Sequence, residues 1–177
     1  TTVVEEYVSG LPLNTYILKN KLTEQEIIKL FLQICEGIKV LHNQSPSIIH
    51  RDLKPSNILV SSDGIVKIID FDAARKYNET ADTDTCHLGT AAFASPEHYG
   101  YSQTDARSDI YSLGAVMYEI FSGRQLPKVS AEKNLTAEEL YDSSHRPSKK
   151  LIQIIAKCTM FNPSARYQNI EELQHAL

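Results

Sequence analysis

Two carboxylates that could take part in chemistry, Asp70 and Asp72, flank Phe71 in the stretch KIIDFDAAR, directly behind an apolar run. Carboxylates at the end of a buried strand can hold a metal ion, cap a turn or face water. Residues two apart in an extended chain face the same side, so both carboxylates could reach one ion. The pair by itself leaves these three alternatives open.

A second polar cluster, HRDLKPSN at residues 50–57, brings Asp52, Lys54 and Asn57 close together in the chain. Each of these groups also has an ordinary role. A loop aspartate often hydrogen-bonds its own backbone, and a lysine is usually a solvated surface residue. The motifs around this cluster, and their spacing from it, have to distinguish these ordinary roles from a role in chemistry.

The apolar pattern predicts that helices build most of the fold. Thr23 and Glu26 form a capping-box pattern that opens a helix to about His42, with apolar residues three and four apart. Residues 104–122 predict a helix that is apolar almost all round from Ile110, which is typical of a buried central helix. Further helices are predicted for SKKLIQIIAKCTM and NIEELQHAL, and a second capping-box pattern lies at Thr136 and Glu139.

One β-hairpin is predicted next to the second polar cluster. NILVSSDGIVKIID contains two short β-branched runs about Asp63 and Gly64, a typical turn pair. The opening TTVVEEYV predicts the tail of a strand that ends in a polar turn at residues 9–10, and residues 76–90 predict a long polar loop. The predicted fold class is mainly α (α+β), a helical bundle with a small hairpin beside the HRDLKPSN loop.

Composition excludes several classes of protein. The chain has 177 residues, 42% of them hydrophobic, and a net charge of -4, so we expect one globular domain without the basic surface that nucleic acid requires. No apolar run approaches the ~20 residues that span a bilayer. Three widely spaced cysteines without a CxxC pair argue against disulfides and zinc. A cytoplasmic location is expected, and a membrane anchor elsewhere in a longer parent protein is compatible with it.

Several motifs follow HRDLKPSN in order. Asp70 lies 18 residues after Asp52, Glu97 ends GTAAFASPE 27 residues after Asp70, and SDIYSLGAVMYEIFSG and NPSARY come later. Together they resemble the C-terminal lobe of the bacterial eukaryotic-like serine/threonine protein kinases, over all of residues 1–177. The resemblance implies a protein-kinase-like fold in which the small hairpin carries the catalytic loop. It places a hinge at 5–10, the catalytic loop at 50–57 and the activation segment at 70–97.

The resemblance implies transfer of the γ-phosphate of ATP to Ser/Thr hydroxyls of protein substrates. Phosphoryl transfer depends on positioning and electrostatics, because charge spreads over the transferred oxygens. Asp52 would be the catalytic base and Lys54 would lie beside the γ-phosphate. The resemblance further implies that Asn57 and Asp70 hold Mg²⁺, with Mn²⁺ as an alternative, and that ATP lies against Glu6, Val8, Lys54, Asn57, Leu59 and Asp70. Leu59 would form the floor under adenine with Ile58 and Val60, whereas Glu6 and Val8 would offer hinge backbone groups.

Other matches imply regulation and scaffolding. Arg51 would pair with a phosphorylated activation loop, for which Thr80, Thr83 and Thr85 are the candidate sites. Thr90 would bond near Asp52 and Lys54. Two scaffold contacts are also implied: an ion pair between Glu97 and Arg166, and a bond from Asp109 to the backbone of the catalytic loop.

The sequence departs from the kinase pattern in two ways. It contains no G-x-G, and no Gly-rich phosphate loop, lysine or helix glutamate precedes the hinge. We therefore expect a fragment whose N-terminal lobe is absent, inactive alone and prone to self-association through an exposed apolar inter-lobe face. The second departure is Asp72, where most kinases have glycine.

Two alternative functions follow from these observations. A pseudokinase or partner-binding module is favoured by Asp72 and the missing phosphate loop, and opposed by the presence of Asp52, Lys54, Asn57 and Asp70. A kinase-fold enzyme for small molecules would share the catalytic loop, but such enzymes generally lack the SPE segment found at residues 95–97.

Overall fold

The computed structural model describes residues 6–77, 90–99, 103–128, 133–136, 139 and 147–177. Five helices dominate these ranges. Their bounds are α1 (Leu13–Asn20), α2 (Glu24–His42), α3 (Ala106–Ser122), α4 (Lys149–Cys158) and α5 (Ile170–Ala176). Short 3₁₀ turns occur at Pro55–Asn57, Pro96–Tyr99 and Pro163–Ala165.

Helix α2 begins at the predicted capping box. The Thr23 hydroxyl accepts from the Glu26 amide, and the Glu26 carboxylate accepts from the Thr23 amide, so two amide groups without helical partners are satisfied. The apolar stripe predicted from the three-and-four spacing is buried along the helix: Ile27, Leu30, Phe31, Ile34, Cys35 and Ile38. Helix α2 therefore turns one face to the core and leaves the other for surface contacts.

Helix α3 is the buried centre of the molecule, as its apolar composition predicts. Every residue from Ser108 to Tyr118 is buried. The helix begins at Ala106 rather than at residue 104, because the Asp105 side chain caps it by accepting from the Arg107 amide. Gly123 ends it with φ 68°, a left-handed conformation that glycine adopts without a side-chain penalty.

The predicted hairpin consists of β3 (Ile58–Val60) and β4 (Val66–Ile68), paired antiparallel with Leu59 opposite Lys67. A short strand β1 (Leu11–Pro12) joins it and gives the order β1-β3-β4. Strands β2 (Ile48–Ile49) and β5 (Arg75–Lys76) form a second antiparallel ladder. The two ladders bracket residues 50–57 and 70–74, and so fix both polar clusters relative to each other.

The helix-rich fold with small antiparallel sheets confirms the predicted class. Four elements were not predicted: α1 and the two-residue strands β1, β2 and β5, of which β2 and β5 pair with each other at the start of the predicted polar loop. The predicted strand in TTVVEEYV lies mostly outside the described residues. Thr136 and Glu139 exchange both capping-box hydrogen bonds, although the helix that would follow is not described. Within the described ranges, none of the helices has the length and apolar character needed to cross a membrane.

Candidate active site

The carboxylate of Asp52 is the centre of a hydrogen-bonded cluster. One oxygen accepts from the Thr90 amide and the Thr90 hydroxyl, each at 3.0 Å. The other oxygen lies 2.6 Å from Lys54 Nζ and 3.1 Å from Asn57 Nδ2. The Lys54 ammonium also donates to the Thr90 hydroxyl at 3.1 Å. Four groups from the catalytic loop and residue 90 thus hold one carboxylate in a single orientation.

Asp52 and Lys54 are partly exposed, with 13% and 23% of their side chains accessible. Burial raises the pKa of the Asp52 carboxyl, but the hydrogen bonds from Lys54 and Thr90 outweigh burial and lower the pKa below its ordinary value. Asp52 is therefore ionised at neutral pH and still partly accessible to solvent.

Asn57 links Asp52 to Asp70. Its amide nitrogen donates to the Asp52 carbonyl at 3.0 Å and approaches Asp70 Oδ2 at 3.4 Å. The amide oxygen of Asn57 is not needed for these bonds, and among the described residues it accepts only a long 3.5 Å bond from Ser56. One amide oxygen and one carboxylate are hard donors that fit Mg²⁺, which usually keeps several waters and phosphate oxygens. No group of three or more His, Cys, Asp or Glu gathers as a metal site in the described ranges.

Asp109 of α3 fixes the start of the catalytic loop. Its carboxylate accepts from the backbone amides of His50 and Arg51, both at 2.9 Å, and contacts the ring of His42 at 2.9 Å. Burial raises the pKa of Asp109, but the hydrogen bond and charge of His42 outweigh burial and lower it. The predicted bond from Asp109 to the loop backbone is therefore present, and His42 is an additional partner.

Two residues of the site have a left-handed backbone conformation: Arg51, which precedes Asp52, at φ 70°, and Asp70 at φ 64°. This conformation costs an L-residue about 1–2 kcal/mol, so the surroundings must enforce it. At Arg51 the enforcing contact is the hydrogen bond from its amide to Asp109. The Arg51 side chain is buried, and the phosphorylated loop residues predicted to pair with it lie outside the described residues.

The predicted ion pair between Glu97 and Arg166 is also present. The guanidinium contacts the two carboxylate oxygens at 2.7 and 2.9 Å, and both side chains are almost fully buried. Burial raises the pKa of Glu97, but the hydrogen bond and charge of Arg166, together with a hydrogen bond from Ser108, lower it overall. This pair holds the 3₁₀ turn after Thr90 against the helices.

The remaining predicted site residues lie on strand β3 and in the stretch before β1. Leu59 is half-buried on β3, whereas Ile58 and Val60 point into the core. Ile58 and Val60 therefore cannot form the predicted adenine floor with Leu59, because successive strand residues face opposite sides. Glu6 is exposed and forms an ion pair with Lys67 at 2.6 Å. Val8 is half-buried in the irregular stretch before β1.

Phe71 and Asp72 complete the first polar cluster. The Phe71 ring lies 5.1 Å from that of His50 and is 44% exposed. The Asp72 amide approaches Asp70 Oδ1 at 3.4 Å. The candidate phosphosites Thr80, Thr83 and Thr85 lie outside the described residues.

Sequence reasoning missed the supporting contacts of His42 and Ser108. His42 is the last residue of α2 and meets Asp109 across 67 positions of sequence, so periodicity gives no signal for it. Ser108 donates to Glu97 at 2.7 Å, and its only signal was its place in the first turn of α3. Both contacts arise from tertiary packing.

Comparison with known proteins identifies the family. The model of the protein kinase domain matches residues 1–177. A probable serine/threonine-protein kinase of Clostridium acetobutylicum is 33% identical over 180 residues, covering 97% of this chain and 27% of that protein. The serine/threonine-protein kinase PknB of Mycobacterium tuberculosis is 32% identical over 183 residues, covering 97% and 29%, and the probable PknB of Lactococcus lactis is 34% identical over 182 residues, covering 97% and 28%.

The chain thus spans under a third of the length of these curated relatives. The family match agrees with the helix-rich fold and with the predicted resemblance to a kinase C-terminal lobe. The chain belongs to the protein kinase domain family.

Proposed function

We propose that this chain is the catalytic-loop lobe of a serine/threonine protein kinase that transfers the γ-phosphate of ATP to Ser or Thr hydroxyls of proteins. The observation that carries the proposal is the Asp52 carboxylate, held on one oxygen by Thr90 and on the other by Lys54 and Asn57. Relatives named serine/threonine-protein kinase, at 32–34% identity, support the same reaction.

In this proposal Asp52 orients the attacking hydroxyl and accepts its proton. Its lowered pKa keeps it ionised, and the bonds from Thr90 leave it little rotational freedom. Lys54 places positive charge beside the transferred group, where charge stabilisation lowers the barrier. ATP with Mg²⁺, when bound, would supply the phosphoryl group and neutralise its charge, and Asn57 and Asp70 would hold that metal.

The isolated chain is proposed to be inactive. The sequence has no G-x-G, so a phosphate-covering loop and its lysine would have to come from another part of the protein. ATP turnover by the isolated chain that Asp52→Ala abolishes would contradict this. The described cysteines, Cys35 and Cys158, are free, buried thiols, which fits the proposed cytoplasmic location.

A second candidate function is a partner-binding pseudokinase. Asp72 favours it, because an extra carboxylate two residues from Asp70 adds negative charge where phosphates would lie.

Phosphotransfer to a protein substrate by the full-length protein tests both candidates, with the wild type compared with Asp52→Asn and Asp72→Gly. We expect wild-type transfer that Asp52→Asn reduces about 10²–10⁴-fold. Absence of transfer from both the wild type and Asp72→Gly would contradict the kinase and support the binding module. Transfer by Asp72→Gly alone would mean that Asp72 has silenced a competent site.

A further inference from the structure

Gln33 joins helix α2 to the hairpin through two hydrogen bonds, one to the turn and one to strand β4. Its Nε2 donates to the Gly64 carbonyl at 3.0 Å, and its Oε1 accepts from the Val66 amide at 3.1 Å. Strand β4 is at the edge of its sheet in the described structure, so its outer amide and carbonyl groups have no neighbouring strand. The exposed Gln33 side chain therefore supplies the acceptor that a neighbouring strand would give to the Val66 amide.

Gly37 brings the same face of α2 against β4 one turn later. A Cβ at Gly37 would lie 3.0 Å from Ile68 Cδ1, so the absence of a side chain permits the close approach. Four helix residues advance about 6 Å. Two strand residues advance about 6.6 Å. Gln33 and Gly37 consequently stay in step with Val66 and Ile68, and the helix sets the position of β4 along its length.

The hairpin ends at the two metal-donor candidates. Asn57 directly precedes β3, Asp70 lies two residues beyond β4, and the Ile69 amide donates to the Asn57 carbonyl at 2.9 Å. The position of β4 on α2 therefore sets the position of Asp70. At its other end α2 carries His42, which contacts Asp109 and through it the loop before Asp52. One helix supports both carboxylates of the site.

From this arrangement we infer that Gln33 is a positioning residue for the metal donors Asn57 and Asp70. The inference rests on the proposed function, since it assigns Gln33 to the metal-dependent part of that reaction. Without the two bonds, the turn end of the hairpin is released from α2. Asp70 then samples positions in which it and Asn57 do not face the same ion, while Asp52 keeps its own contacts.

The test compares Gln33→Met with Gln44→Met in the full-length protein. Methionine is close to glutamine in length and helix propensity but lacks both hydrogen-bonding groups. Gln44 is the matched control, because its side chain donates to the Val40 carbonyl at 2.8 Å near the end of α2 and does not touch the hairpin. The readouts are hydrogen exchange of the Ile69 amide, the Mg²⁺ concentration for half-maximal phosphotransfer, and the rate at saturating Mg²⁺.

We expect Gln33→Met to accelerate exchange at Ile69 roughly tenfold, the effect of losing one hydrogen-bonded anchor. The half-maximal Mg²⁺ concentration should rise about tenfold, as when a group supporting a metal ligand is removed. The rate at saturating Mg²⁺ should remain within about twofold of wild type, because excess metal restores the site. Gln33→Glu keeps the acceptor for Val66 and should fall between wild type and Gln33→Met in both quantities.

Three results would overturn the inference. The first is equal Ile69 exchange in Gln33→Met and Gln44→Met. The second is faster exchange without any change in the Mg²⁺ requirement. The third is a loss of rate at saturating Mg²⁺ with the requirement unchanged. If the wild type transfers no phosphate at all, the proposed function fails, and Ile69 exchange alone decides whether Gln33 positions the hairpin. If Gln33→Met does not fold, Gln33→Glu serves for the same comparisons.

Discussion

Two ion pairs of this molecule have similar chemistry and opposite settings. Asp52 and Lys54 are 2.6 Å apart in the partly exposed loop of residues 50–57, with 13% and 23% of their side chains exposed. Glu97 and Arg166 are 2.7 Å apart in the interior, with 3% and 0% exposed. Water screens the first pair and is excluded from the second, so the same distance carries different energetic consequences.

The partners around each pair differ as well. The Arg166 guanidinium donates five hydrogen bonds, two to Glu97 and three to backbone carbonyls of Met160, Arg107 and Phe161. Lys54 donates only to Asp52 and Thr90 in the described structure. The interior pair is thus bound into the scaffold, whereas the surface pair keeps capacity for a ligand. We expect substitutions in the Glu97–Arg166 pair to affect stability and substitutions in the Asp52–Lys54 pair to affect activity.

The largest expected effect is on stability in Arg166→Met. Methionine leaves the Glu97 carboxylate buried with Ser108 as its remaining side-chain donor. Breaking a buried pair in this way typically costs about 3–5 kcal/mol, because an uncompensated charge remains. Urea unfolding of the wild type and of Arg166→Met measures the difference in their free energies of unfolding.

A double variant, Glu97→Gln with Arg166→Met, is the control for this prediction. It removes both charges and should recover part of the loss, since no unpaired charge is left. A cost below about 1 kcal/mol for Arg166→Met would mean that the interior pair behaves like a surface pair.

The next effect in size is expected for Ser108→Ala. The buried Ser108 hydroxyl donates to Glu97 Oε1 at 2.7 Å, and a hydrogen bond to a charged group is worth about 1.5–3 kcal/mol. Ser112→Ala is the matched control on the same helix, because its hydroxyl donates to neutral carbonyls of Phe93 and Ser108. Unfolding by urea should show the larger loss for Ser108→Ala, and equal losses would argue against a contribution from the charge of Glu97.

Acidification should weaken the scaffold through Glu97 and Asp109. Both folded pKa values lie below the ordinary values of 4.5 and 3.8, so the unfolded chain binds more protons than the folded one as pH falls through that window. Their stabilisation is complete above about pH 5 and is lost as pH falls through the folded pKa values, with a slope of up to about 1.4 kcal/mol per pH unit for each proton.

Urea unfolding at intervals of about half a pH unit, between about pH 3 and pH 7, measures this loss of stability. Glu97→Gln should make the dependence shallower, because glutamine does not titrate. The same dependence in wild type and Glu97→Gln would mean that other carboxyls cause the acid sensitivity.

The elements that were predictable from sequence are those whose signal is local. Helix α2 was predictable because Thr23 and Glu26 cap it and its apolar residues recur at three and four. Helix α1 was missed because its eight residues bury only Leu13 and Ile17, too few to establish a period. Strand β1, two residues long, depends on its pairing with β3 and carries no pattern of its own.

The candidate site divides in the same way. Asp52, Lys54, Asn57, Asp70 and Thr90 were predictable because kinase motifs name their positions, and the fold brings them within hydrogen-bonding distance or close to it. The contacts of His42 and Gln33 were not predictable, since each joins residues more than 30 positions apart through packing that no motif describes. Motifs therefore predict the groups proposed to do chemistry, and tertiary structure shows which residues hold them.

The smallest effect on stability is expected for Lys54→Met, the surface counterpart of Arg166→Met. Removing the lysine leaves the Asp52 carboxylate with three donors, the Thr90 amide, the Thr90 hydroxyl and the Asn57 amide, as well as access to water. The free energy of unfolding should change by less than about 1 kcal/mol, as for other exposed pairs. Phosphotransfer by the full-length protein should nevertheless fall by about 10²-fold, because the cation proposed to lie beside the transferred group is lost.

Both measurements on the same pair of variants decide the comparison between the two ion pairs. If Lys54→Met destabilises the protein as much as Arg166→Met, the catalytic loop is part of the scaffold. The partial exposure of Asp52 and Lys54 then does not reduce the contribution of their ion pair to the free energy of unfolding. If Lys54→Met changes neither stability nor transfer, Lys54 is a solvated surface lysine despite its 2.6 Å contact with Asp52. A loss of transfer without a loss of stability separates the two regions, because a group whose partners remain satisfied after its removal contributes to the reaction rather than to the fold.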